Sequence, residues 1–104
     1  MPVDLHLHSS VSDGVDAPST LMDMAEAAGL SAVALTDHDT LAGLDEAQAS
    51  ASSLGVRWMP GIEFTCRYAG KTLHVLGYGF DPAFARGDRQ LQAYVSQVRA
   101  RDRA

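Results

Sequence analysis

Apolar positions along this chain change rhythm several times, and each change marks an element. "VDLHLH" alternates from Val3 to His8 with the two-residue period of a strand, which puts His6 and His8 on one face and Leu5 and Leu7 on the other. Pro18 suits a first helical turn, and Leu21, Met22, Ala25 and Ala28 then recur at helical spacing until Gly29 stops them. "SAVALTD" is a near-continuous apolar run, as in a parallel strand covered on both faces. Thr40 is placed to cap a helix that runs toward Leu54 and ends at Gly55. Two extended segments, "VRWMPGIEFTCRY" and "KTLHVLGYGF", flank a two-residue turn at Ala69 and Gly70. Pairing across that turn sets Phe64 opposite Val75 and Thr65 opposite His74. Leu91, Tyr94, Val95 and Val98 form the apolar stripe of a last helix that reaches the terminus.

Strand and helix in alternation imply right-handed crossovers and a mostly parallel sheet, so the fold class is α/β. The 104 residues suffice for one domain with a modest core, and they contain no repeat or linker. No apolar run approaches the roughly 20 residues that span a bilayer, and "MPVDLHLH" is unlike a secretory signal. A cytoplasmic protein with no membrane partner is expected. Cys66 is the single cysteine, which excludes an intramolecular disulfide and a thiolate metal cluster; it is expected to act as a small buried hydrophobe. The net charge of -5 argues against a broad nucleic-acid surface. Arg86, Arg89, Arg99, Arg101 and Arg103 cluster near the end of the chain, where a solvated helix face explains them better than a phosphate-binding patch.

In parallel sheets and barrels, ligands bind at the carboxyl ends of the strands, and the polar residues fall there. His8 closes the first strand and Asp13 sits in the loop after it. His38 lies past the second strand inside "LTDHDT", and Glu63 is expected at the far end of the third. The turn returns His74 to the same rim, as a diagonal neighbour of Glu63. All four histidines, with one aspartate and one glutamate, therefore gather at one end of one sheet. Imidazole and carboxylate without thiolate suit zinc, manganese or iron, and a glutamate can bridge two such ions. The sequence shows no Ser-His-Asp arrangement that would indicate a covalent nucleophile.

"DLHLHSSVSDG", "ALTDHDT", "PGIEFT" and "LHVLGYGFD", in that order, resemble the first half of a PHP-domain (polymerase and histidinol phosphatase) phosphoesterase. The resemblance runs from Val3 to about Pro82. It is strongest to the bacterial branch that acts on nucleoside 3',5'-bisphosphates and on the 5' ends of short RNAs. It implies the N-terminal half of a distorted (β/α)7 TIM-like barrel, with residues 1–104 an N-terminal portion of the domain. It also implies two or three divalent ions (Mn, Zn, Fe or Mg) and hydrolysis of nucleotide or oligonucleotide phosphate esters through a metal-activated water. His6 and His8 match the paired histidines, Glu63 the carboxylate shared between two ions, His74 the second-ion histidine, and Asp13 and His38 the third-ion ligands. Glu63, His8 and Asp13 are the expected catalytic residues, and Asp37 and Asp39 are expected to orient His38. Further ligands and most phosphate contacts belong to the family's second half, supplied by more chain or by a partner chain. Two other readings stay open: a non-catalytic metal-binding or assembly module, and the PHP module of a polymerase or histidinol phosphatase.

Overall fold

The computed structural model describes the backbone of residues 2–102 and the side chains of residues 2–97. Four strands, β1 (Val3–Leu7), β2 (Ala32–Leu35), β3 (Arg57–Tyr68) and β4 (Lys71–Tyr78), form one sheet in the order β1-β2-β3-β4. β1, β2 and β3 run parallel, and β4 returns antiparallel to β3. The helices are α1 (Pro18–Ala27), α2 (Leu44–Leu54), α3 (Pro82–Gly87) and α4 (Arg89–Asp102). α1 and α2 are the crossovers that parallel pairing requires. The sheet is curled enough for the Tyr78 hydroxyl on one edge strand to donate to the Leu5 carbonyl on the other, at 2.6 Å. The expected partial α/β barrel is what forms.

The core lies on the helix-covered face. Met22 and Ala25 from α1, Val33 and Leu35 from β2, Leu44, Ala47 and Ala51 from α2, and Ile62 from β3 are all buried in it. Leu7 and the half-buried Trp58 pack against this cluster. On β3 the neighbour of Ile62 is Glu63, which strand alternation turns to the opposite face. Beyond Ile62, an apolar groove of about 460 Å³ opens among Leu41, Phe64, Phe80, Phe84 and Leu91.

The β3–β4 turn forms as the pattern requires. Ala69 and Gly70 both take positive φ, 53° and 77°, the geometry of a tight hairpin whose twist matches its strands. Phe64 pairs with Val75 and Thr65 with His74.

Several expectations need correction. Glu63 lies in the middle of β3 rather than at its far end, because β3 runs on past its last β2 partner at Pro60 to pair with β4. α2 begins at Leu44, with Gly43 as its flanking residue, rather than at Thr40. The Thr40 hydroxyl instead accepts from the Ala42 amide, closing a local turn while residues 38 and 39 continue pairing beside β3. α3 is a six-residue helix that no periodicity announced; Asp81 caps it by accepting from the Ala83 amide, and Pro82 opens it. Leu5 does not follow Leu7 into the core and is 38% exposed, because β1 is bulged. From Asp4 to Leu7 the strand advances three residues while its partner advances two, Val33 to Leu35. Cys66 is half-buried, with Sγ 4.0 Å from the Tyr94 hydroxyl. Of the basic cluster, Arg86 pairs with Asp45 at 3.0 Å. Val98, Arg99, Arg101 and Arg103 lie outside the residues whose side chains are described.

Candidate metal centre

Each member of the cluster is placed by an element that the local sequence dictates. β1 ends at Leu7, and His8 is the first residue beyond it. The chain then turns tightly: the Ser9 carbonyl accepts from the Ser12 and Gly14 amides, and the Ser10 amide donates to Asp16. Gly14 passes so close to β1 that a Cβ there would stand 2.1 Å from the His8 carbonyl oxygen. This fold-back carries Asp13 over the end of the sheet. After β2, His38 bridges to Glu63 in a short parallel extension, closed by the Asp39 amide donating to the Glu63 carbonyl. His74 arrives by the hairpin.

Two buried carboxylates pin these segments together. Asp37 accepts from the Ser9 amide (2.6 Å), the Ser9 hydroxyl (2.6 Å) and the Ser12 hydroxyl (2.9 Å), tying the loop that bears Asp13 to the end of β2. Asp39 accepts from the amide and hydroxyl of Thr65, at 2.8 and 2.5 Å. Asp39 does so with φ 52°, a strained conformation for a residue with a side chain. Among the described residues, neither carboxylate bonds the His38 ring. The expected orientation of His38 by Asp37 and Asp39 is replaced by anchoring of the backbone on both sides of it.

Of the six candidate ligands, the four histidines converge on Glu63. Its Oε1 lies 2.6 Å from His6 Nε2 and 3.1 Å from His8 Nε2. Its Oε2 lies 3.3 Å from His74 Nδ1 and 3.8 Å from His38 Nδ1. Asp13 spans the other side, 3.1 Å from His38 Nε2 and 3.4 Å from His8 Nδ1. The His8 and His38 rings stack with centroids 4.4 Å apart. The Glu63 side chain is 7% exposed and that of Asp13 63%, so Glu63 is the interior anchor and Asp13 the outer arm. Burial pushes the Glu63 carboxyl up, but the hydrogen bond from His6 and the charges of His38, His6 and His8 outweigh it. The balance falls below its ordinary 4.5.

These atoms form three overlapping groups, His6–His8–Glu63, His8–Asp13–His38 and His38–Glu63–His74, each with its donor atoms within 4.8 Å of one another. Donor chemistry and geometry both fit divalent cations. Among the described residues, His8 Nδ1 is buried and makes no hydrogen bond, Asp13 Oδ1 standing at 3.4 Å, so the atom is open to a further ligand. The set is imidazole and carboxylate throughout, the donors of zinc, manganese and iron sites.

The pattern of known proteins agrees with this geometry. The PHP-domain family profile matches residues 4–98. The chain belongs to the PHP-domain family. It is 40% identical over 90 residues to a 5'-3' exoribonuclease of Haemophilus influenzae, covering 86% of this chain and 33% of that protein. It is 42% identical over 81 residues to a 3',5'-nucleoside bisphosphate phosphatase of Chromobacterium violaceum, covering 78% and 28%. A solved structure from Bifidobacterium adolescentis, assigned as a metal-dependent phosphoesterase, superposes with a TM-score of 0.87 at 33% identity, over 96% of this chain and 34% of that one. This PHP chain thus spans about a third of the length of the relatives it matches. Among the described residues, no helix is long and apolar enough to cross a membrane.

Asp4 and Tyr78 entered the sequence reading only as strand residues. The Asp4 carboxylate accepts from the His6 amide at 3.1 Å, and Tyr78 reaches the Leu5 carbonyl, so both touch the segment that presents His6. The D-x-H spacing at the start of "DLHLH" was the available signal for Asp4, because a side chain two residues upstream can accept a backbone amide.

Proposed function

We propose that this PHP domain is the N-terminal portion of a metal-dependent phosphoesterase that hydrolyses phosphate esters of nucleotides or short oligonucleotides. The observation that carries the reading is a single buried carboxylate, Glu63, facing histidines through both of its oxygens. The activities named for the Haemophilus exoribonuclease and the Chromobacterium phosphatase support the substrate class.

His6, His8 and Glu63 would hold one ion, His38, Glu63 and His74 a second, and His8, Asp13 and His38 a third. Bound divalent ions supply positive charge that makes water a nucleophile at neutral pH and neutralises phosphoryl oxygens. We assign manganese, zinc, iron or magnesium to this role. The protein's part is placement. Glu63 sets the spacing between the first two groups, His8 links the first to the third, and Asp13 stands at the exposed mouth, where a phosphate arrives. Glu63, His8 and Asp13 are therefore the residues we name as catalytic. No side chain needs to form a covalent intermediate. Residues beyond this chain, or a partner chain, would complete the barrel and supply the contacts that select among substrates. A free Cys66 fits the reducing cytoplasm.

The test is metal content together with phosphate release from a nucleoside 3',5'-bisphosphate after manganese reconstitution, on wild type and on a His6→Ala, His8→Ala double variant. Metal and activity should both fall in the variant, by more than the roughly 100-fold that loss of a supporting group costs. A wild-type protein that takes up no metal overturns the reading. Metal without turnover, in a protein spanning the full family length, favours the non-catalytic binding module instead.

A further inference from the structure

The bulge in β1 decides which residues of "DLHLH" face the metal centre. In parallel strands, paired residues point to the same face, and a slip of one residue exchanges the faces. Asp4 pairs with Val33, so an unbulged strand would set His6 opposite Leu35. Leu35 is fully buried in the core, and His6 would be directed there with it. The extra residue brings Leu7 opposite Leu35 instead, so Leu7 joins the core and His6 turns to the face of Glu63.

β1 is both an edge strand and bulged, so backbone groups stand free of the ladder, and here two side chains take them. The Asp4 carboxylate accepts the His6 N–H at 3.1 Å, and the Tyr78 hydroxyl donates to the Leu5 carbonyl at 2.6 Å. They act from opposite directions, Asp4 within β1 and Tyr78 from the far edge of the curled sheet. We propose that Asp4 and Tyr78 are positioning residues for His6, locking the bulge that aims its imidazole at Glu63. The proposal deepens the reading of His6 as a metal ligand and rests on it for its consequence in metal binding. The lock itself belongs to the metal-free protein.

The first readout therefore needs no metal. In the metal-free protein, the ¹⁵N resonance of His6 Nε2 reports its bond to Glu63, and exchange of the His6 amide reports the bond to Asp4. Asp4→Ala and Tyr78→Phe should both move the His6 Nε2 resonance toward that of a solvent-exposed histidine. Asp4→Ala should also speed exchange of the His6 amide. Asp4→Asn keeps a carbonyl oxygen for that amide and should stay near wild type in both. With manganese added, Asp4→Ala and Tyr78→Phe should bind the ion about 10- to 100-fold more weakly, with Asp4→Asn restoring affinity. A purely structural role would lower thermal stability in Asp4→Ala and leave the His6 Nε2 resonance and manganese affinity in place. An unchanged His6 resonance in Asp4→Ala, or equal losses in Asp4→Asn and Asp4→Ala, overturns the proposal. A wild-type protein that binds no manganese overturns the proposed function, and the His6 resonance then decides this inference by itself.

Discussion

Glu63 is where burial and charge pull in opposite directions. The surrounding imidazoles win, and its carboxyl lies below its ordinary value. A group whose folded value is depressed contributes stability that is present above the unfolded value and is lost as pH falls through the folded one. The metal-free domain should therefore lose stability on acidification below pH about 4.5, and Glu63→Gln should flatten that loss. Urea unfolding in a chelator across that range checks it; an unchanged pH profile in Glu63→Gln would show that the carboxylate is not coupled to its neighbours. At this scale the candidate ligands were legible from residue type and position. The anchoring roles of Asp37 and Asp39 were not. Their partners Ser9, Ser12 and Thr65 lie 25 to 28 residues away, and local spacing carries no record of such pairs.

Among the elements, the loop after β1 and the β3–β4 hairpin do most to assemble the centre. Gly14→Ala would drive a methyl group into the His8 carbonyl, so the loop must shift and carry Asp13 with it. The expected cost is about 1–3 kcal/mol of stability with weaker metal uptake, read by denaturant unfolding and equilibrium dialysis. In β4, deleting Thr72 would shift every following side chain by one position and turn His74 away from Glu63. Metal analysis should then find about one bound ion fewer, while undiminished binding would remove His74 from the ligand set. The hairpin was readable because two residues between extended runs leave few registers. The bulge was hidden, since alternation in "VDLHLH" reads the same with or without an extra residue and only pairing with β2 exposes it. α2 starts later than Thr40 because the bridge at His38 and the Asp39 amide bond to the Glu63 carbonyl hold the chain beside β3 past the end of β2.

Across the whole molecule, one face of the sheet carries the core and the other the candidate ligands. Leu44→Ala, in the centre of the helix-covered core, should cost about 2–5 kcal/mol. That is a large fraction of the roughly 5–15 kcal/mol that holds a domain together. Because the ligands stand on the opposite face, metal stoichiometry below the unfolding transition should survive this substitution; its loss would mean that core and site are not separable. The alternation of strands and helices made the α/β class legible, since each apolar run matched the period of its element. Curling of the sheet into part of a barrel was legible only through the family resemblance. Trp58, lodged in β3 against the core, is the single tryptophan of the chain. The domain thus has one indole fluorophore at the seam between sheet and helices. Excited beyond the absorption of the three tyrosines, its emission spectrum can follow collapse and loosening of that seam without a dye or a label.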